Sequence, residues 1–327
     1  MSSKAPGSAP GLDASRVLVS GGTSGVGLAV ATQFAAAGAE RIVLLGRDRG
    51  RGDQAASSVA TAGAEVRFLS GNAGDARDST RVAAEAADFL GGRIDTFVSA
   101  VAPGGHLGPL HLQDPEELER VLRGLVLPVM QMNRAVLAYM QEAGGTIVNI
   151  ASDAAKVPTP GESVASGAMA AIAMFSRTLA LEVKRNGIRV HTVTPSLIAG
   201  TSTAERLLAD EFGAKIFEKV TERAQLGVPD ADDVAATVLW LASPGGPTAG
   251  ARQRYRRCGW DFGLRPPGLH PRSRRSKTAS IAVSGCAQRC PSSDPAEGVQ
   301  NAAPRHLPGR EFLACRPNRR RWPRCLI

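Results

Sequence analysis

The feature that most constrains this chain is Ser20-Gly21-Gly22-Thr23-Ser24-Gly25-Val26-Gly27, set between the apolar run Arg16–Val19 and an alanine-rich segment, Leu28–Ala37. Glycines at this spacing let the backbone turn sharply out of a strand and come close to a bound group. The helix that follows offers unpaired N–H groups and the positive end of its dipole, which suits a pyrophosphate. The competing reading is a structural turn on a sheet without a ligand. Strand before and helix after, near the start of the chain, favour a nucleotide site.

Downstream, short apolar runs alternate with helical segments. Arg41–Leu45, Glu65–Leu69, Ile94–Val98, Thr146–Ile150 and Ile188–Val193 read as strands. Asp53–Ala62, Ser79–Leu90, Pro115–Met140 and a stretch within Gly161–Arg185 read as helices, followed by Thr203–Val220 and Asp230–Ala242. Asp114 is placed to cap one of them, and Pro128 to kink it. Such alternation predicts an α/β fold, a Rossmann-type doubly wound parallel sheet with helices on both faces. No run approaches the roughly 18 apolar residues of a membrane span. Met1–Ser15 lack the apolar core of a signal peptide, which gives the expectation of a cytoplasmic protein.

The second strand ends at Gly46-Arg47. In dinucleotide sites an acidic residue about 20 positions past the glycines binds the ribose 2′-hydroxyl. Gly46 stands there instead, and the Arg47 guanidinium matches a 2′-phosphate. This favours NADP(H) over NAD(H), with Asp48 the one nearby carboxylate that argues the other way.

The spacing Gly21-x3-Gly25-x-Gly27 resembles the short-chain dehydrogenase/reductase family. So do Gly145-Thr-Ile-Val-Asn-Ile-Ala-Ser152, Leu179-Ala-Leu-Glu-Val183 and Gly187-Ile-Arg-Val-His-Thr-Val-Thr-Pro195, in consistent order over residues 14–245. The resemblance implies hydride transfer between a nicotinamide and a carbonyl or hydroxyl of a small organic substrate, in a homodimer or homotetramer. It implies cofactor contacts at Gly21, Thr23, Ser24, Gly25, Val26, Gly27, Arg47, Asn72, Ala73, Ser99, Ala100, Pro195 and Thr201. Ser152 matches the catalytic serine. No metal site is implied. The segment Thr203–Val220 resembles the family's substrate lid.

The chain also departs from the family. The catalytic asparagine position falls at Gly124 or Leu125, and the Tyr-x3-Lys pair falls at Ala165 and Met169. A carbonyl reduction needs a proton donor beside the oxygen, and neither Ala nor Met has one to give. Asp153, Lys156, Glu162, Ser163 and Ser166 flank the expected cleft. Of these, Glu162 reads first as a helix cap or an exposed carboxylate, and Lys156 as a loop charge. His106 reads as a solvated loop residue and His191 as a strand residue. The loss of the pair raises a second reading, a non-catalytic dinucleotide-binding relative that acts as a sensor or as a partner in an oligomer.

Composition changes near Gly250. Residues 251–327 hold 17 Lys and Arg against four Asp and Glu, and all five cysteines. The net charge of +9 is therefore a property of the tail, because residues 1–250 sum to −4. We divide the chain into a flexible start at 1–14, an oxidoreductase domain at 15–250 and a basic, disordered tail at 251–327. Arg252, Arg254, Arg256 and Arg257 occupy the place of a buried last strand, which such charges disrupt. A shift of reading frame near residue 250 is one explanation, tested by resequencing. Nucleic-acid binding through Tyr255, Trp260, Trp322 and the arginines is a third functional reading. The cysteine and histidine spacings fit no usual zinc site.

Overall fold

The apolar runs of the sequence line up as parallel strands in a computed structural model that describes residues 11–102, 107–209, 211–247 and 282–284. The strands are β1 (Arg16–Ser20), β2 (Arg41–Gly46), β3 (Glu65–Ser70), β4 (Thr96–Ser99), β5 (Gly145–Ile150) and β6 (Ile188–Thr194), with a short β7 (Ala282–Ser284). Their order across the sheet is β3-β2-β1-β4-β5-β6-β7. The first six are parallel, and β7 runs antiparallel to β6. The doubly wound expectation is thus met. The arginine-rich segment expected to replace the last strand, residues 251–257, lies outside the described residues. So do His106 and the tail, apart from β7.

The helices are α1 (Gly25–Ala36), α2 (Arg49–Ala60), α3 (Ala76–Phe89), α4 (Pro115–Val136), α5 (Ser163–Glu182), α6 (Ser202–Ala209), α7 (Glu211–Arg223) and α8 (Ala231–Ala242). Alternation along each strand decides which face a residue serves. Leu18, Phe97, Ile147 and Val190 pack against Val82, Ala86, Met132 and Leu179 of α3, α4 and α5. Val17, Val19, Val98 and Val148 pack on the other side against Val30, Phe34, Val59 and Val238 of α1, α2 and α8. Burial on both faces is why the strands read as near-continuous apolar runs.

Three expectations need correction. The first helix begins at Gly25, not Leu28, because the glycines of the loop supply its first turn. The single helix expected over Thr203–Val220 is two, α6 and α7. A Cβ at Gly213 would collide with the Leu207 carbonyl, so α7 folds closely over the end of α6 where only glycine fits. Finally, α5 is long and apolar enough to cross a membrane by length and composition. Its Ala168, Ile172, Leu179 and Ala180 are instead buried within this α/β fold. Pro128 lies inside α4, which continues through it.

Candidate functional site

The doubly wound order reverses between β1 and β4, and the glycine loop stands at that point. Such a switch point opens a crevice at the carboxyl ends of the strands. Gly21 has φ +78°, and a Cβ there would lie 2.7 Å from the Ala100 carbonyl oxygen, on the segment leaving β4. A Cβ on Gly27 would collide with the Gly21 carbonyl. Gly25, at φ +50°, starts α1. Ser24 holds the cap position but makes no side-chain cap bond. The N–H groups of Gly25, Val26 and Gly27 therefore have no acceptor within their own helix. This is a cradle that any Cβ would begin to fill, and it fits a dinucleotide pyrophosphate.

Across the cradle stands the segment after β6. The Thr201 methyl lies 3.7 Å from the place a Gly25 Cβ would take. Thr201 Oγ1 donates to the Ile198 carbonyl at 2.9 Å and accepts from the Ala204 N–H at 3.2 Å, so the hydroxyl shapes the start of α6. Pro195 is buried, and its carbonyl accepts from the Asp153 N–H at 2.9 Å.

At the end of β2, a Cβ on Gly46 would sit 2.8 Å from the Thr23 methyl, which places Thr23 beside the β2–α2 turn. Arg47 is exposed there. The competing carboxylate, Asp48, is committed elsewhere. Its Oδ1 accepts from the Arg51 N–H at 2.9 Å as the cap of α2, and its Oδ2 lies 3.4 Å from Arg51 Nε. The backbone bond from Arg51, aided by the guanidinium charge, holds the Asp48 carboxyl below its ordinary range. Sequence reasoning passed over Arg51. Its signal was the density of arginine in Arg47-Asp-Arg-Gly-Arg51, one turn into α2. Arg51 lines a cavity of about 360 Å³ with Thr23, Leu28, Gln54 and Ser58.

The remaining predicted contacts divide. Asn72 is exposed, and its Oδ1 accepts from the Gly74 N–H at 3.0 Å, so it sets the turn before α3; Ala73 is buried behind it. Ala100 lies on the loop, its N–H donating to the Ser20 carbonyl at 2.8 Å. Ser99 is fully buried in β4, in register with Ser20, beneath the crevice rather than lining it.

Ser152 follows β5. Its Oγ donates to Asp153 Oδ1 at 3.2 Å and accepts from the Ala154 N–H at 3.2 Å. Lys156 is exposed as expected, though the protein around its ammonium lowers its pKa by desolvation, against the pull of Asp153. Glu162 corrects its expectation. It holds the cap position of α5 but makes no cap bond, and it is half-buried rather than exposed. Burial pushes its carboxyl pKa up, a Thr159 hydrogen bond opposes this, and the Asp153 charge raises it further. Ala165 is half-buried on the same helix, and Met169 packs among Val129, Ala151 and Ile172. Leu125 is buried with Val121 and Ala168, so α4 presents no polar group at that position.

A cavity of about 590 Å³ opens beside this segment, walled by Leu107, Pro109, Leu112 and Phe212 with Asp114 and Glu117 at its edge. The Gly108 N–H donates to the Gly161 carbonyl at 3.0 Å, and a Cβ at Gly161 would strike the Phe212 ring. The start of α7 is thereby held against the start of α5. Among the described residues no His, Cys, Asp and Glu cluster is able to hold a metal ion.

Fold and glycine cradle together define a Rossmann-type α/β protein with a dinucleotide-type site. The short chain dehydrogenase family model matches residues 15–211, and the chain belongs to that family of oxidoreductases. It is 31% identical over 229 residues to the 2-(R)-hydroxypropyl-CoM dehydrogenase of Xanthobacter autotrophicus, covering 69% of this chain and 90% of that protein. It is 31% identical over 227 residues to human dehydrogenase/reductase SDR family member 4, covering 69% and 80%. Among solved structures it resembles a dehydrogenase/reductase from Sinorhizobium meliloti 1021, with a TM-score of 0.64 at 28% identity over 72% of this chain and 92% of the other.

Proposed function

We propose that this chain is an NADP(H)-preferring oxidoreductase acting on the carbonyl or hydroxyl of a small organic substrate. One observation carries the cofactor preference. At the end of β2 the only carboxylate in the turn, Asp48, is bound to the start of α2, while Arg47 is exposed on the turn and Arg51 lines a cavity with Thr23. A 2′-phosphate there meets two guanidinium groups, which match its geometry and charge.

NADP(H), when bound, supplies or accepts the hydride. Thr23, Ser24, Gly25, Val26 and Gly27 hold its pyrophosphate by backbone N–H groups and the α1 dipole, while Gly21, whose N–H donates to the Leu45 carbonyl at 2.9 Å, supplies the turn. Asn72, Ala73 and Ala100 shape the adenosine side of the crevice above the buried Ser99, and Pro195 and Thr201 the nicotinamide side. Ser152 orients the substrate oxygen. The cavity under α7 admits an apolar substrate body through Leu107, Leu112 and Phe212. Self-association through α4 and α5 accounts for their exposed Leu122, Met174 and Leu181.

Titration of the full chain with NADPH and NADH by calorimetry tests the reading. NADPH is expected to bind at least tenfold more tightly. Equal affinities would overturn the preference. The substitutions Ala165 and Met169 favour the second reading, a cofactor-binding protein without turnover; an NADPH oxidation assay on a panel of aldehydes, ketones and quinones separates the two.

A further inference from the structure

The reaction proposed above needs a proton at the developing alkoxide, and neither Ala165 nor Met169 has one to give. Around Ser152 stand Asp153, which accepts from its Oγ, and Lys156 and Glu162, on each of which the Asp153 charge acts. We infer that Glu162 is the proton donor of this site, standing one helical turn before Ala165 and within the field of Asp153, which accepts from the Ser152 hydroxyl. The inference rests on the reductase reading and deepens it.

The first support is what Glu162 does not do. Asp48, Asp75, Asp114 and Asp230 each hold the cap position of a helix, and each carboxylate accepts the N–H groups of that helix. Glu162 holds the same position on α5 and makes no such bond. Its carboxyl is not consumed by the helix end.

The second support is placement. Glu162 is the cap residue one turn before Ala165, and residues 165, 166 and 169 share one face of α5 whose side chains lean toward the N-terminus. A carboxyl on Glu162 thus serves the face on which the family's pair has been lost. Next to it, Gly161 is in close contact with Phe212 and Gly108, so the site is walled by a ring and a backbone segment. The charge acting on Glu162 is that of Asp153, on its own approach loop. Among the described residues, the start of α5 meets the Phe212 ring, the Gly108 backbone and Val121, Leu125 and Val126 of α4, none of them charged.

The third support is electrostatic. Half-burial and the neighbouring Asp153 favour the protonated carboxylic acid, the form that has a proton to give. In the reductive direction the carbonyl carbon takes the hydride supplied by NADPH. The carbonyl oxygen forms its O–H bond as the Oε–H bond of Glu162 breaks. The carboxylate then regains a proton from water. In the oxidative direction the carboxylate receives the hydroxyl proton.

The test uses the full chain with Glu162→Gln, Glu162→Asp and Lys156→Met. With no cofactor present, carbon-13 NMR of glutamate-labelled protein should show a carboxyl titrating above the ordinary range, absent from Glu162→Gln. Glu162→Gln should bind NADPH within twofold of the wild type yet lose about a hundredfold or more in kcat. The fall in reductive kcat at rising pH should disappear with it, and Glu162→Asp should recover part of the rate. The inference is overturned if Glu162→Gln keeps the rate and the pH profile, or if Lys156→Met removes the profile instead. It is equally overturned if the wild type binds NADPH and reduces nothing in the panel. Failure to bind either nicotinamide cofactor would sink the reductase reading beneath it.

Discussion

Asn133 Nδ2 of α4 donates to Asn149 Oδ1 of β5 at 2.9 Å, and neither residue is reached by solvent. Asn149 Nδ2 in turn donates to Ser176 Oγ of α5 at 2.9 Å, and Ser176 donates to the Ile172 carbonyl at 2.8 Å. This polar chain crosses an apolar layer and ties two helices to the strand that ends just before Ser152. A buried polar group is tolerated only while its partners are present.

Asn149→Ala leaves Asn133 and Ser176 each short of a partner in the core. It is expected to cost about 2–4 kcal/mol, read by urea denaturation. Paired with Asn133→Ala, the double variant should cost less than the two single losses together, with a coupling of about 1 kcal/mol. Additive losses would mean that the two amides do not act as one unit.

Two glycines of positive φ separate backbone strain from close approach. Gly63, at φ +101°, has open space where a Cβ would go, whereas Gly21, at φ +78°, faces the Ala100 carbonyl. Gly63→Ala is expected to cost about 1 kcal/mol of stability and leave NADPH affinity intact. Gly21→Ala should cost more and weaken NADPH at least tenfold, because the loop must move off β4. Calorimetry on both variants checks this, and equal effects on affinity would remove the cradle from the cofactor site.

Strand positions were legible because both faces of this sheet are buried, so each strand is a compact apolar run bounded by glycine or charge. Family motifs placed the crevice for a related reason: backbone approach demands glycine itself, as Gly21 and Gly27 show. Where several residues were equally suited, the sequence was silent. Asp48 reads as the carboxylate that argues against NADP(H), and only its bond from Arg51 shows it to be the cap of α2. Glu162 reads as a cap by position, and only the absent cap bond shows that its carboxyl serves no N–H group of α5. The break between α6 and α7 leaves no mark in the apolar spacing, because both halves keep a helical period; what accompanies it is a close approach at Gly213.

Cofactor preference should reside in the two arginines. Arg47→Ala and Arg51→Ala are each expected to weaken NADPH about tenfold while leaving NADH within twofold, since only the 2′-phosphate is lost as a partner. Asp48→Ala should lower the melting temperature through the loss of its bond to the Arg51 N–H, and NADPH should gain over NADH because the Arg51 guanidinium loses the carboxylate 3.4 Å from its Nε. A loss of NADH affinity in that variant would show that Asp48 does face the ribose.

Asp95 offers a pH test away from the crevice. It is buried, accepts the Arg16 N–H at 3.1 Å and lies 3.1 Å from Arg93 Nε. Burial outweighs the two arginines, so its pKa is raised. The folded state then keeps a proton that the unfolded chain has already released. Its contribution to stability is full below the unfolded pKa and falls as pH rises through the folded one. The stability of the wild type minus that of Asp95→Asn should therefore decline with pH across this window. A difference that rises with pH would mean that the ion pair dominates.

Tyrosine can be returned to the helix that lost it. Ala165 is half-buried one turn after Glu162, whereas Met169 packs among Val129, Ala151 and Ile172. An ammonium in that apolar group loses its hydration, so Met169→Lys alone should destabilise the fold. Ala165→Tyr carries no charge at neutral pH and brings a hydroxyl to the face that Glu162 serves. Added to Glu162→Gln, it is expected to restore at least tenfold in kcat, with NADPH affinity unchanged and the pH limb moved toward the phenol range. The proton donor, not the hydride path, is then what the Glu162 variant lacks. If affinity holds and the rate does not return, the new hydroxyl does not reach the substrate oxygen, and the shared face of α5 is not the face on which the reaction occurs.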